Sequence, residues 1–287
     1  MPQAEAAGMR SAEAPGWHAG LDLGFAVRAP GTVLIRNRHH GPLLVQKPLY
    51  PEGADTCHVA VLHPPGGVAA GDRLHIAAAL DAGARVLLTT PGATKWYRSP
   101  GAVAHQDVRF VVAADGILEW LPREGILFDG SNISTRLEVT LAPHAAYVGW
   151  DIMSFGRRAS GERWASGRLR MHSAIRRAGR LLWSETADLD ASGGFAASGV
   201  GLAGFTVCGT LAVAGYEIED ALLGACRGVR PAAAGARTGI TRMPSVLIAR
   251  YLGDSTEEAF DWFTGLWTLL RPVLTARAAC APRVWAC

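Results

Sequence analysis

Five carboxylates in this sequence stand among apolar or glycine neighbours where a charge is costly to keep. They are Asp72 in Ala70-Gly71-Asp72, Glu119 before Trp120, Glu124 after Leu121-Pro122-Arg123, Asp151 after Gly149-Trp150, and Glu185 after Trp183-Ser184. A buried carboxylate persists only if it is paired, hydrogen-bonded, protonated or facing trapped water. Two chemistries follow: a general acid/base pair, or a wet row of hard oxygen donors along which a cation can step. Ion pairing with arginines such as Arg73 or Arg98 is the structural alternative. The softer ligands do not converge. In an extended chain Cys57 and His58 point to opposite faces, His39 and His40 do likewise, and Pro64-Pro65 clamp His63. No permanent metal site is expected, and these histidines read as structural.

Other chemistry is excluded by missing motifs. Pro91-Gly92-Ala93-Thr94-Lys95 lacks the first glycine and the Gly-Lys pair of a phosphate-binding loop. Gly199-Val200-Gly201-Leu202-Ala203-Gly204 matches a dinucleotide fingerprint in letters, but no strand-helix-strand unit surrounds it. There is no GxSxG elbow, HExxH pair or EF-hand loop. Five cysteines, at 57, 208, 226, 280 and 287, show no CxxC spacing, which points to a reducing, cytoplasmic setting. With 28 basic and 25 acidic residues the net charge is only +3, which gives no reason to expect a nucleic-acid partner. Eight arginines against the single acid Glu162 lie between Arg157 and Arg180; they form a face for an anionic protein partner, a face for a nucleic acid, or an ordinary solvated surface, in which case no partner is implied.

The elements that must position these side chains are mostly strands. Over residues 30–185 short alternating or β-branched runs are broken by glycine, proline and aspartate. Leu137, Val139 and Leu141 alternate with Arg136, Glu138 and Thr140, so one face is buried and the other wet. Turn signals at Asp81-Ala82-Gly83, Asp115-Gly116, Pro143-His144 and Ala178-Gly179 recur every 28 to 35 residues. That recurrence predicts a mainly β fold, with layered sheets in a β-helical, solenoid-like stack and two α-helices near the C-terminus. The first helix is expected over Ile218–Val229. The second begins at the capping box Ser255-Thr256-Glu257-Glu258, carries Phe260, Phe263, Trp267 and Leu270 on one face, and should stop at Pro272. Thr186–Gly199 reads as a loop, Gly199–Gly215 as buried strand too short to span a bilayer, and Pro231–Gly239 as a connector. Residues 1–16 read as a disordered tail preceding a single domain over 17–287.

Several contiguous blocks then carry a family resemblance. They are Gly41-Pro42-Leu43 with Gln46 and Tyr50-Pro51-Glu52-Gly53; Cys57-His58; Leu62-His63-Pro64-Pro65-Gly66-Gly67 followed by Gly71-Asp72-Arg73-Leu74; and Leu88 to Lys95 with Tyr97-Arg98-Ser99. Further blocks are Leu118 to Pro122 through Glu124 to Phe128-Asp129-Gly130, Gly156-Arg157, Ser160-Gly161-Glu162, and Pro282 to Ala286. The chain resembles the UreD family of urease accessory proteins from about residue 20 to its end. It departs from the family pattern at Ala69-Ala70, where a glycine pair is usual, and at Arg123 and Gly125, which flank Glu124 in place of Gln and Thr. The resemblance implies a non-catalytic, β-helical chaperone of urease maturation. Its implied partners are UreF, UreG recruited through UreF, and apo-urease, with neither nucleic acid nor membrane involved. Nickel would be cargo in transit and no cofactor would be tightly bound. The polar positions implied along an internal nickel passage are Asp72, Thr94, Lys95, Glu124, Asp151 and Glu185. Weak successive oxygen ligands suit conduction, because a His/Cys cage would hold the ion. The competing expectation is a β-solenoid glycan-cleaving enzyme using two of the stranded acids.

Overall fold

The computed structural model describes residues 16–99, 101–232 and 235–286. The expected tail therefore falls, apart from Gly16, outside the described residues. Two β-sheets face each other in a solenoid-like stack. The first has seven strands in the order Arg180–Asp190, Gly167–Arg177, Ser131–Leu141, Ala104–Val112, Arg73–Leu80, His18–Arg28 and Gly31–His40. Its middle strands run parallel, and one register position passes from Arg73 to His105, Ser134 and Arg170, steps of 32, 29 and 36 residues. These steps are the coils that the spaced turn signals foretold.

Each coil crosses to the second sheet through a tight turn. Gly83, Asp115 and His144 occupy the left-handed region at these turns, with φ of 72°, 59° and 58°, while Ala178, at 47°, turns the hairpin that joins Gly167–Arg177 to Arg180–Asp190 within the first sheet. A short turn that reverses the chain between two layers needs such a residue, which is why Gly or Asp marks the signals. The second sheet runs Arg237–Met243, Val246–Gly253, Val207–Ala214, Ala146–Phe155, Ile117–Leu121, Arg85–Thr89, Thr56–Leu62 and Leu44–Val45. Short strands Gly67–Val68, Thr94–Trp96 and Gly125–Leu127 extend it. The main core lies between the sheets, where Leu23, Phe25, Phe110, Leu127 and Leu169 are fully buried. A second core lies outside the second sheet, where helix α1 (Asp220–Gly228) and helix α2 (Thr256–Thr275) dock.

The aromatic stripe of α2 is core. Phe263, Leu266, Trp267 and Leu270 are buried against Trp150, Leu211 and Tyr251 of the sheet. The Ser255 hydroxyl caps the helix by accepting from the Glu258 N–H at 3.2 Å, as the capping box predicts. Four boundary expectations are corrected. Pro272 does not stop α2: the helix runs on to Thr275, because Arg271 and Leu274 are anchored in the interior while Pro272 faces solvent. Thr186–Gly199 is not all loop. The strand continues to Asp190, since ladder pairing with Gly167–Arg177 and an Arg168–Asp188 ion pair outweigh weak local strand signals. Of the expected buried strand Gly199–Gly215, only Val207–Ala214 is strand, and a new edge strand begins at Arg237 inside the expected connector.

Candidate functional site

A cavity of about 290 Å³ lies between the two sheets. Leu74, Gln106, Thr135, Met171 and Ser173 line it from the first sheet, and Thr94, Trp120, Asp151 and Met153 from the second. The space has a local cause. In the second sheet the strands Arg85–Thr89 and Ile117–Leu121 are interrupted before Thr94–Trp96 and Gly125–Leu127 resume the pairing. The intervening loops, 90–93 and 122–124, pull backbone away from the interior. Small polar side chains such as Thr94, Thr135 and Ser173 then leave room that larger apolar ones would fill.

Asp151 is the acidic group in this wall. It sits on Ala146–Phe155, between Val207–Ala214 and Ile117–Leu121 in the second sheet, and pairs in register with Thr210. Burial, and next the negative charge of Glu185, push its carboxyl up to about 7, against the pull of Arg250 and of the Thr210 backbone N–H. Glu185 stands on the opposite sheet, in register with the cavity-lining Ser173. Its carboxylate accepts from Arg250 Nη1 at 2.5 Å, and Arg250 also donates to Thr210 Oγ1 at 3.2 Å. The Glu185–Arg250 bridge therefore ties the two sheets together beside Asp151, with Arg250 half exposed to solvent.

The other expected positions divide. Thr94 lines the cavity, and its backbone N–H donates to Glu124 O at 2.9 Å. Lys95, the next residue along the strand, is exposed. The Glu124 carboxylate lies 3.6 Å from Arg123 Nε, and Glu124 is not part of the cavity wall, although its neighbours Arg123 and Gly125 are. Asp72 is buried in a backbone cradle: Trp17 N donates to Oδ1 and Ala69 N to Oδ2, each at 2.8 Å. Its charge still reaches His63, which lines the cavity and whose Nδ1 is buried without a hydrogen-bond partner among the described residues. Burial lowers the His63 pKa and Asp72 opposes that shift. The structure thus gathers Thr94, Asp151 and Glu185 about the cavity, links Asp72 to it through His63, and leaves Lys95 and Glu124 outside the wall.

The fifth stranded acid has a separate fate. Glu119 pairs with neither Arg73 nor Arg98; it is fully enclosed with Arg271, 152 residues away. Arg271 Nε lies 3.0 Å from Glu119 Oε2, while its Nη1 and Nη2 donate to Glu52 at 2.8 and 2.6 Å. Trp267 Nε1 donates to Glu119 at 2.5 Å and His58 Nε2 to Glu52 at 2.6 Å. Burial alone would raise the Glu52 carboxyl, but the bonds from His58 and Arg271 outweigh it and hold the group at about 2. This network fastens α2 to the second sheet and is structural. The arginine-rich run is partly paired as well, through Arg157–Glu162 and Arg168–Asp188.

Residues that sequence reasoning did not single out complete the site: Arg250, Gln106, Met153 and Met171. They join Arg123, which the sequence marked only as a departure from the family pattern beside Glu124. Arg250 carried a signal, a lone charge inside Val246-Leu247-Ile248-Ala249-Arg250-Tyr251. Gln106, Met153 and Met171 carried none, because only the packing of distant coils makes them neighbours. Among the described residues no three His, Cys, Asp or Glu side chains converge to hold a metal ion. The wall offers one carboxylate, one imidazole, hydroxyl and amide oxygens and two thioethers, a set that can solvate a cation without enclosing it. No helix among the described residues is long and apolar enough to cross a membrane.

A family model described as UreD urease accessory protein matches residues 18–286. The chain is 50% identical over 269 residues to a urease accessory protein UreD of Methylobacillus flagellatus, covering 94% of each chain. It is 50% identical over 274 residues to one of Dechloromonas aromatica, covering 94% of this chain and 95% of that one. To one of an Azoarcus species it is 48% identical over 271 residues, covering 94% of each.

Proposed function

This chain belongs to the UreD family of urease accessory proteins, with the role in urease maturation that membership implies; from that premise we propose that it is a non-catalytic nickel-delivery scaffold. It docks on apo-urease with UreF, which recruits UreG, and Ni²⁺ passes through the space between its two sheets toward the urease active site. The observation that carries this reading is the inter-sheet cavity with Asp151 in its wall and Glu185 beside it. A divalent cation entering a mostly apolar interior needs oxygen donors to replace part of its hydration shell, and it must not be held too tightly to leave. A wall with one carboxylate, one imidazole and scattered hydroxyl, amide and thioether groups meets both requirements. Glu185 is held by Arg250, so it stands at the cavity's edge without forming a closed ligand cage with Asp151.

The test replaces Asp151 by Asn in the full accessory complex and measures nickel bound per urease, together with urease activity. Assembly of the complex with apo-urease is followed in parallel by co-purification. Intact assembly with nickel loading reduced to a small fraction of the wild-type level is the expected result. Normal loading by the Asp151→Asn chain defeats the passage. Normal loading in the complete absence of the chain defeats the delivery role altogether.

A further inference from the structure

Two arginines contribute to the cavity wall, and their surroundings differ. Arg136 is more than half exposed on the outer face of the first sheet, 3.5 Å from Glu138. Arg123 has only 26% of its side chain exposed and sits where the loops 90–93 and 122–124 interrupt the second sheet. Here the cavity reaches through toward Trp150 and the docked face of α2. We propose that Arg123 is the gate residue of the passage, its guanidinium closing the α2 side of the cavity to divalent cations. The inference rests on the passage reading above and assigns it a point of control.

Three contacts hold the guanidinium in place. Its Cζ lies 4.2 Å from the centroid of the Phe260 ring on α2, a cation–π geometry. Its Nε is 3.6 Å from Glu124 Oε2, beyond hydrogen-bond distance but within Coulombic reach. Asp261, the next residue on α2, also feels its charge. The backbone N–H of Arg123 donates to Thr90 Oγ1 at 2.9 Å, so the loop beneath is pinned while the side chain is held only by longer-range attractions. A fixed positive charge in a partly desolvated wall repels an approaching divalent cation. The same group faces the Glu124 carboxylate, which lies outside the wall. Swinging Arg123 aside removes the repulsion. Two of its three holders belong to α2, so a small shift of that helix against the sheet is enough to release it.

The experiment compares Arg123→Gln, Arg123→Met and Arg123→Lys in the full accessory complex with apo-urease, using nickel chloride below saturation as the probe. Nickel per urease is followed over time by elemental mass spectrometry. Gln and Met remove the charge, and each should load nickel about tenfold faster, the lower end of what a local field does to an association rate; Lys retains the charge and should load at the wild-type rate. Arg123→Met preserves apolar packing on Phe260, so it carries the test if Arg123→Gln melts early. Unchanged or slower loading by the Met variant overturns the gate. Asp151→Asn run in the same assay separates the two ideas. If it blocks loading while the Arg123 variants behave as wild type, the passage stands and the gate falls; if it loads normally, the passage falls and takes the gate with it.

Discussion

Replacing Asp151 by Asn should make the protein more stable at alkaline pH while making it worse at delivering nickel. Asp151 has its carboxyl raised from 3.8 to about 7 by burial and by Glu185. A raised pKa means that the folded state holds the proton more tightly than the unfolded chain does. The contribution to stability is complete below about pH 4, declines as pH rises, and is lost once pH passes about 7. A shift of about three units corresponds to about 4 kcal/mol at full value. The cavity has room for water that screens the charge, so about 1–2 kcal/mol is the realistic penalty at alkaline pH. Asn keeps the shape and the bond to the Thr210 N–H but removes the charge. The variant should therefore melt about 2–6 °C higher than wild type at pH 8, with the difference shrinking to near zero only below about pH 3. Thermal denaturation followed by circular dichroism across that range is the assay. A difference that stays constant with pH, or an Asn variant that melts lower at pH 8, refutes the reasoning that the carboxylate is held in the wall at a cost.

Arg271→Met should destabilise the fold by about 3–5 kcal/mol, because it strands Glu119 and Glu52 without their cation in an interior site; thermal melts of the purified chain check this. Glu52 is held at about 2 in the wild type, so its share of stability is present above about pH 4.5 and is lost as pH falls toward 2. That acid limb of the melting curve should flatten in the Arg271→Met variant. Ser255→Ala removes the hydroxyl that caps α2 and should cost about 1 kcal/mol, read in the same melts, with no change in nickel loading.

The alternative of a glycan-cleaving solenoid draws on the same stranded acids, and the structure distributes them unfavourably for it. Glu119 shares Arg271 with Glu52, Asp72 is bound by two backbone N–H groups, and Glu185 is bound by Arg250. A general acid/base pair needs two carboxyls facing one substrate across an open cleft. Here Asp151 is the one stranded acid in the cavity wall.

Local pattern determined a great deal about this protein. Alternation at Leu137, Val139 and Leu141 fixed which face of a strand is buried, because successive side chains point to opposite sides. Residues tolerant of left-handed backbone fixed where each coil turns, and the capping box fixed the start of α2. The stranded acids were legible too, since a carboxylate among apolar residues needs a compensating partner or space, whatever the fold. Which of the two each received was decided only in three dimensions. Glu119 met an arginine 152 residues away, beyond the reach of any local rule, while Asp151 met a cavity that exists because two neighbouring coils break their pairing at the same level. Long-range pairing also overrode local signals where a strand continued through Thr186 and where α2 ran past Pro272. Sequence fixes chemistry and direction residue by residue; proximity between coils is a property of stacking, which no short window of sequence contains.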